Sequence, residues 1–99
     1  MLYMIFGRDG ADVLDKRLYS RAAHRARLEA LLEQGRLVVA GPLPALDCDD
    51  PGPAGYAGSL IVAEFGSLEE ARQWAGDDPF LKSGVYLSVE VHPFCQVLP

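Results

Sequence analysis

The sequence has few of the residues that build disulfide frameworks and metal centres. Its 99 residues contain two cysteines, Cys48 and Cys95, and two histidines. Two thiols with no clustered Cys/His spacing fit neither a disulfide-stapled scaffold nor a zinc site. We therefore expect no metal, no cofactor and a reducing, cytoplasmic environment.

Long apolar runs and an excess of positive charge are also missing. The apolar N-terminus, Met1 to Phe6, is too short for a signal peptide or a membrane span. Nine Lys and Arg against 14 Asp and Glu give a net charge of −5, whereas nucleic-acid binding needs a basic surface. We expect neither a membrane nor a nucleic acid as partner.

Motifs for nucleophilic catalysis and phosphate binding are absent as well. No serine lies in a glycine-flanked elbow, and no cysteine is paired locally with a histidine. The stretch Gly52 to Gly55 is too rich in proline to cradle phosphates with consecutive N–H groups. The sequence therefore favours neither acyl transfer nor nucleotide binding.

What the sequence does contain is a regular succession of strand and helix patterns. Runs rich in aliphatic and aromatic residues predict strands, and apolar residues three and four apart predict helices. The predicted strands are 2–7, 36–44, 58–65 and 85–98, and the predicted helices are 20–34 and 68–75. Ser20 is expected to cap the first helix, Ser67 with Glu70 the second, and Asp78 a short helical turn that begins at Pro79.

This β-α-β-β-α-β order predicts one α+β domain over residues 1–99, with a four-stranded antiparallel sheet and both helices on one face. The first and third strands are apolar on both faces. A monomer would expose the uncovered face, which soluble monomers rarely do. We therefore expect a homodimer that packs sheet against sheet.

His24 is the most informative candidate for chemistry. The predicted helix places it in an early turn on the buried side, where the positive end of the helix disfavours imidazolium and keeps the ring able to accept a proton. Asp78 would orient the ring as a partner carboxylate. Two plainer alternatives stay open: a histidine satisfied within the core, and an aspartate that only caps its helix. Further candidates for substrate contacts are Ser20, Arg21, Tyr3, Tyr56 and Ser59.

Several short fragments in a fixed order resemble the YciI-like family, a group of small bacterial proteins of the ferredoxin-like, dimeric α/β-barrel class. These fragments are Met1-Leu2-Tyr3, Arg17-Leu18, Arg21-Ala22-Ala23-His24, Gly35-Arg36-Leu37, Ala40-Gly41-Pro42, Asp50-Pro51-Gly52 with Gly55, Gly58-Ser59, Ala63-Glu64-Phe65, Trp74-Ala75, Asp78-Pro79-Phe80 and Gly84-Val85-Tyr86. The resemblance implies a dimer with a cleft on each protomer and a histidine–aspartate pair at His24 and Asp78. It also places Ser20 and Arg21 in the pocket.

The function implied by the resemblance is lyase- or isomerase-type chemistry, including dehydrochlorinase-like elimination from a small ring. We expect His24 to remove a proton next to a carbonyl, Asp78 to orient His24, and Arg21 to hold an enolate oxygen. The alternative is a non-catalytic dimeric module that binds a small ligand or regulates through it. A purely structural or partner-binding role is the third reading. The loop at 45–57 is long enough for a function of its own.

Overall fold

The elements follow one another in the predicted order, including the short helix that begins at Pro79 before the last strand. A computed structural model describes residues 1–99. Its elements are β1 (Leu2–Asp9), α1 (Leu14–Glu33), β2 (Leu37–Pro44), β3 (Tyr56–Glu64), α2 (Leu68–Gly76), α3 (Pro79–Lys82) and β4 (Tyr86–Phe94), with a 3-10 turn at Gly52–Ala54. None of the helices has the length and apolar character needed to cross a membrane.

The four strands form one antiparallel sheet in the order β2-β3-β1-β4. The predicted ferredoxin-like fold is thereby confirmed. In the central pair, Tyr3 lies opposite Ala63 and Ile5 opposite Ile61. These residues form the main core with Leu31 of α1 and with Ala71 and Ala75 of α2. The two long helices therefore pack on the sheet face that carries Tyr3 and Ile5.

The opposite face of the sheet is also apolar at its centre. Because side chains alternate along a strand, this face carries Leu2, Met4 and Phe6 of β1, which are half-buried. The register places Leu60 and Val62 of β3 opposite Phe6 and Met4. β1 and β3 are thus apolar on both faces because they are the two central strands of the sheet.

Two of the three predicted caps begin their helices, and a glycine follows the end of α1. Gly35, with φ +70°, follows the end of α1 in the left-handed conformation. The Ser67 hydroxyl accepts from the Glu70 N–H at 3.1 Å and begins α2. The Asp78 carboxylate accepts from the Phe80 N–H at 2.9 Å and begins α3.

The predicted start of α1 at Ser20 is wrong. The helix begins at Leu14, after Val13, which offers no side-chain cap. Ser20 is therefore a buried residue inside the helix, and His24 lies ten residues after its start. Because the helix dipole acts mainly within the first turn, it cannot be the reason for a neutral His24 ring.

The last strand differs from its prediction at its beginning. Between the pairs Arg8–Ser88 and Asp9–Tyr86 the register shifts, so that Leu87 has no partner on β1. This bulge buries Tyr86 and leaves Leu87 77% exposed, the reverse of the predicted alternation. The buried Tyr86 ring lies over Gly7, where a Cβ would collide with its ring atoms. Pro93 is accommodated because β4 is an edge strand.

Candidate functional site

A cavity of about 370 Å³ lies between α1 and the half of the sheet formed by β2 and β3. A volume of this size suits one small ring-sized molecule. Half of its 16 lining residues are hydrophobic. The lining residues are Arg17, Leu18, Arg21, His24, Arg25, Leu28, Glu29, Leu32, Leu37, Ala40, Gly41, Pro42, Tyr56, Ser59, Ile61 and Phe80.

His24 and Asp78 are joined by a buried hydrogen bond. His24 Nδ1 lies 2.8 Å from Asp78 Oδ1 and 3.0 Å from Oδ2. The same Oδ1 accepts the Phe80 N–H, so Asp78 both caps α3 and holds the histidine. The alternative that Asp78 only caps its helix is therefore excluded. The short helix α3 positions the carboxylate behind the ring, on the side away from the cavity.

The orientation of the His24 ring is set by its neighbours. Phe80 stacks on it with 4.0 Å between ring centroids and 12° between planes, and Tyr86 meets it edge-on. Because a carboxylate can only accept, Nδ1 carries the proton of the neutral ring and Nε2 keeps its lone pair. Nε2 has no partner within the chain and is not sealed from solvent. In the neutral ring, Nε2 is therefore the nitrogen that can accept a proton, and His24 is among the residues that line the cavity.

Arg17 is a second polar centre of the cavity, and the sequence did not point to it. Its Nη1 lies 2.8 Å from both carboxylate oxygens of Asp9, and both side chains are buried. Its Nη2 donates to Ser59 Oγ at 2.7 Å and to the Gly58 carbonyl at 3.2 Å. The guanidinium lies over the rings of Tyr56 and Phe80, 4.9 and 4.7 Å from their centroids.

Burial shifts two titratable groups near this centre. It raises the pKa of Asp9, and the charge and hydrogen bonds of Arg17 offset that rise only in part. It also raises the pKa of the Tyr86 hydroxyl, which is buried without a hydrogen-bond partner. Tyr86 therefore stays protonated in any ordinary buffer.

The remaining candidates from the sequence fall into two groups. Ser59, Tyr56 and the exposed Arg21 line the cavity together with His24. Ser20 is buried but is not among the lining residues. Tyr3 lies in the main core, where its ring packs 6.3 Å from that of Phe65, and it does not reach the cavity. The expectation that Tyr3 contacts a substrate is therefore wrong, because Tyr3 lies opposite Ala63, toward the end of β3 that is remote from Ser59.

The YCII-related domain model matches residues 1–95 of the chain. The protein YciI of Escherichia coli O6:H1 is 55% identical over 97 residues, which cover 98% of this chain and 99% of that protein. An uncharacterised protein of Haemophilus influenzae is 45% identical over the same shares. Among solved structures, the 5-chloro-2-hydroxyhydroquinone dehydrochlorinase TftG of Burkholderia phenoliruptrix, in complex with 2,5-dihydroxybenzoquinone, superposes with a TM-score of 0.82. It is 31% identical, and the match covers 96% of this chain and 94% of TftG.

Proposed function

Because this chain belongs to the YCII-related domain family, we propose that it is a small-molecule enzyme that moves a proton on a small ring substrate. His24 is the general base of this reaction. The observation that carries the proposal is the state of one imidazole ring: Nδ1 is held at 2.8 Å by a buried carboxylate, while Nε2 has no partner and its residue lines a cavity.

The proposed step needs only the groups of this site. Nε2 takes a proton from a carbon next to a carbonyl or, in the keto tautomer of a hydroxylated ring, from a ring hydroxyl, and the electron pair of the broken bond forms the enolate. Asp78 stabilises the imidazolium that results. The enolate then either takes the proton back at another carbon, which is isomerisation, or expels a leaving group such as chloride with its bonding pair, which is elimination.

The substrate class is supported by the shape of the cavity and by one relative. TftG, which shares the fold at 31% identity, is a dehydrochlorinase of a hydroxylated ring and binds a dihydroxyquinone. In this chain Leu28 and Tyr56 offer partly exposed apolar surface, and Ser59 and Arg21 offer hydrogen-bond donors in the same cavity. We propose that a hydroxylated six-membered ring lies between these groups.

The assay that tests this function measures two products of the same chemistry. The protein is incubated with 5-chloro-2-hydroxyhydroquinone, and chloride release is followed against a buffer blank. In parallel, deuterium incorporation from D₂O into unchlorinated hydroxyquinone rings is followed by mass spectrometry. Either signal above the blank supports the enzyme. Binding of the rings with neither signal contradicts it and favours the non-catalytic ligand-binding module.

We also propose that two copies associate through the open face of the sheet. Its centre is formed by Met4, Phe6 and Leu60, which are half-buried side chains with no helix above them. Covering such a surface removes apolar area from water.

The Leu60→Asp variant tests this association by sedimentation analysis. The wild type is expected at about twice the 10.8 kDa chain mass, and the variant at the mass of one chain, because a buried carboxylate without a partner is strongly disfavoured. Leu98→Asp makes the same change at a residue that is 80% exposed outside the sheet and should leave the mass unchanged. A wild type that sediments as a single chain would overturn the dimer.

A further inference from the structure

The terminal N–H groups of Arg17 are all engaged within the protein. Nη1 serves the two oxygens of Asp9, and Nη2 serves Ser59 Oγ and the Gly58 carbonyl. The aromatic rings of Tyr56 and Phe80 lie against the guanidinium. The terminal nitrogens of Arg17 are therefore committed to protein partners, while its Nε makes no hydrogen bond within the chain and the residue lines the cavity.

Arg17 can therefore act on a ligand through Ser59. A serine hydroxyl has one proton to donate, and arginine has no acceptor for it. Ser59 Oγ thus accepts from Arg17 at 2.7 Å and keeps its own proton for another partner. Ser59 Oγ makes no second hydrogen bond within the chain, although the Tyr86 hydroxyl lies near it. Ser59, although only 3% exposed, lines the cavity.

We infer that Ser59 is the donor that holds the oxygen of a bound carbonyl or enolate, and that Arg17 is the residue that positions and polarises it. A hydrogen bond from a charged donor is short and strong, and it strengthens the next bond in the chain. The series Asp9–Arg17–Ser59 fixes the direction of the hydroxyl, while His24 faces the same cavity. The inference rests on the proposed function and names the ligand feature that the site recognises: an oxyanion on a small ring.

The roles of Ser59 and Arg17 are tested by a double-mutant cycle in which calorimetry measures the affinity of 2,5-dihydroxybenzoquinone. Ser59→Ala is expected to weaken binding by about 10- to 100-fold, the usual loss for a hydrogen bond to a charged group. Arg17→Lys keeps the charge opposite Asp9 but loses the forked geometry, and it should weaken binding about 10-fold. When Ser59 is already replaced by alanine, Arg17→Lys should change the affinity by less than about 2-fold, because the hydroxyl through which Arg17 acts on the ligand is absent.

A merely structural role for Arg17 would not produce this coupling. Ser88→Ala, the same chemical change at an exposed position of β4, is the matched control and should bind like the wild type. Equal losses from Arg17→Lys in both backgrounds, or an unchanged affinity of Ser59→Ala, would overturn the inference. Failure of the wild type to bind the quinone would also overturn it, whereas binding without turnover would overturn only the proposed catalysis.

Discussion

Replacing His24 by glutamine is expected to lower turnover of a ring substrate by about 10²- to 10⁴-fold, the usual contribution of a general base. Glutamine can still donate to Asp78 with its amide, so the buried carboxylate keeps a partner. It offers the cavity no basic nitrogen, so the proton of the substrate has no acceptor. The measurement is the turnover number with saturating substrate, alongside a thermal unfolding curve that verifies the fold.

Two further variants show whether the loss of turnover comes from His24 itself or from a general effect of the substitution. His92→Gln changes the other histidine, which is exposed on β4, and should leave turnover unaltered. Asp78→Asn keeps a good capping residue at the start of α3 but removes the negative charge beside His24 Nδ1, and it should lower turnover without unfolding the protein. Wild-type turnover in His24→Gln would show that the base lies elsewhere.

The fold could be predicted because its signals are local. The runs of aliphatic and aromatic residues in β1 and β3, the capping serine Ser67 and the Asp78–Pro79 pair each specify their element from within a few residues. The start of α1 could not be predicted in the same way. The structure begins this helix after Val13 without a side-chain cap, so no residue type marks the place, whereas Ser20 carries a capping signature that the fold does not use.

The sequence identified a site residue only where that residue was unusual for its own position. His24 stood out because a histidine on the buried side of a helix is rare, and Asp78 because it precedes a proline. Arg17 gave no such signal, since an isolated arginine in a polar stretch is typical of a solvated helix face. Its partners Asp9 and Ser59 lie 8 and 42 residues away, and only the packing of α1 on the sheet brings them together. Tyr3 misled because it shares a sheet face with Ser59 but packs at the other end of the strand pair, opposite Ala63.

The buried Asp9–Arg17 pair leads to the largest expected effect on stability. Asp9→Ala should lower the free energy of unfolding by about 3–5 kcal/mol, because it leaves the Arg17 charge buried without a counterion. Arg17→Met should cost about the same in neutral buffer, because it leaves the Asp9 carboxylate alone. Urea unfolding followed by circular dichroism measures both losses.

The pH dependence distinguishes the two variants. Burial already raises the pKa of Asp9 in the wild type, and loss of the Arg17 cation raises it further. A carboxyl whose pKa is higher in the folded than in the unfolded state binds its proton more tightly when folded, so stability rises as the pH falls through the folded-state value. Arg17→Met should therefore recover part of its loss, relative to the wild type, at about pH 5, above the ordinary pKa of an aspartate. Asp9→Ala should not regain stability at acidic pH, because the Arg17 guanidinium that it leaves without a counterion stays charged. Equal losses at neutral and acidic pH in both variants would mean that Asp9 is not held as a buried carboxylate, and the hydrogen-bond series that ends at Ser59 would lose its anchor.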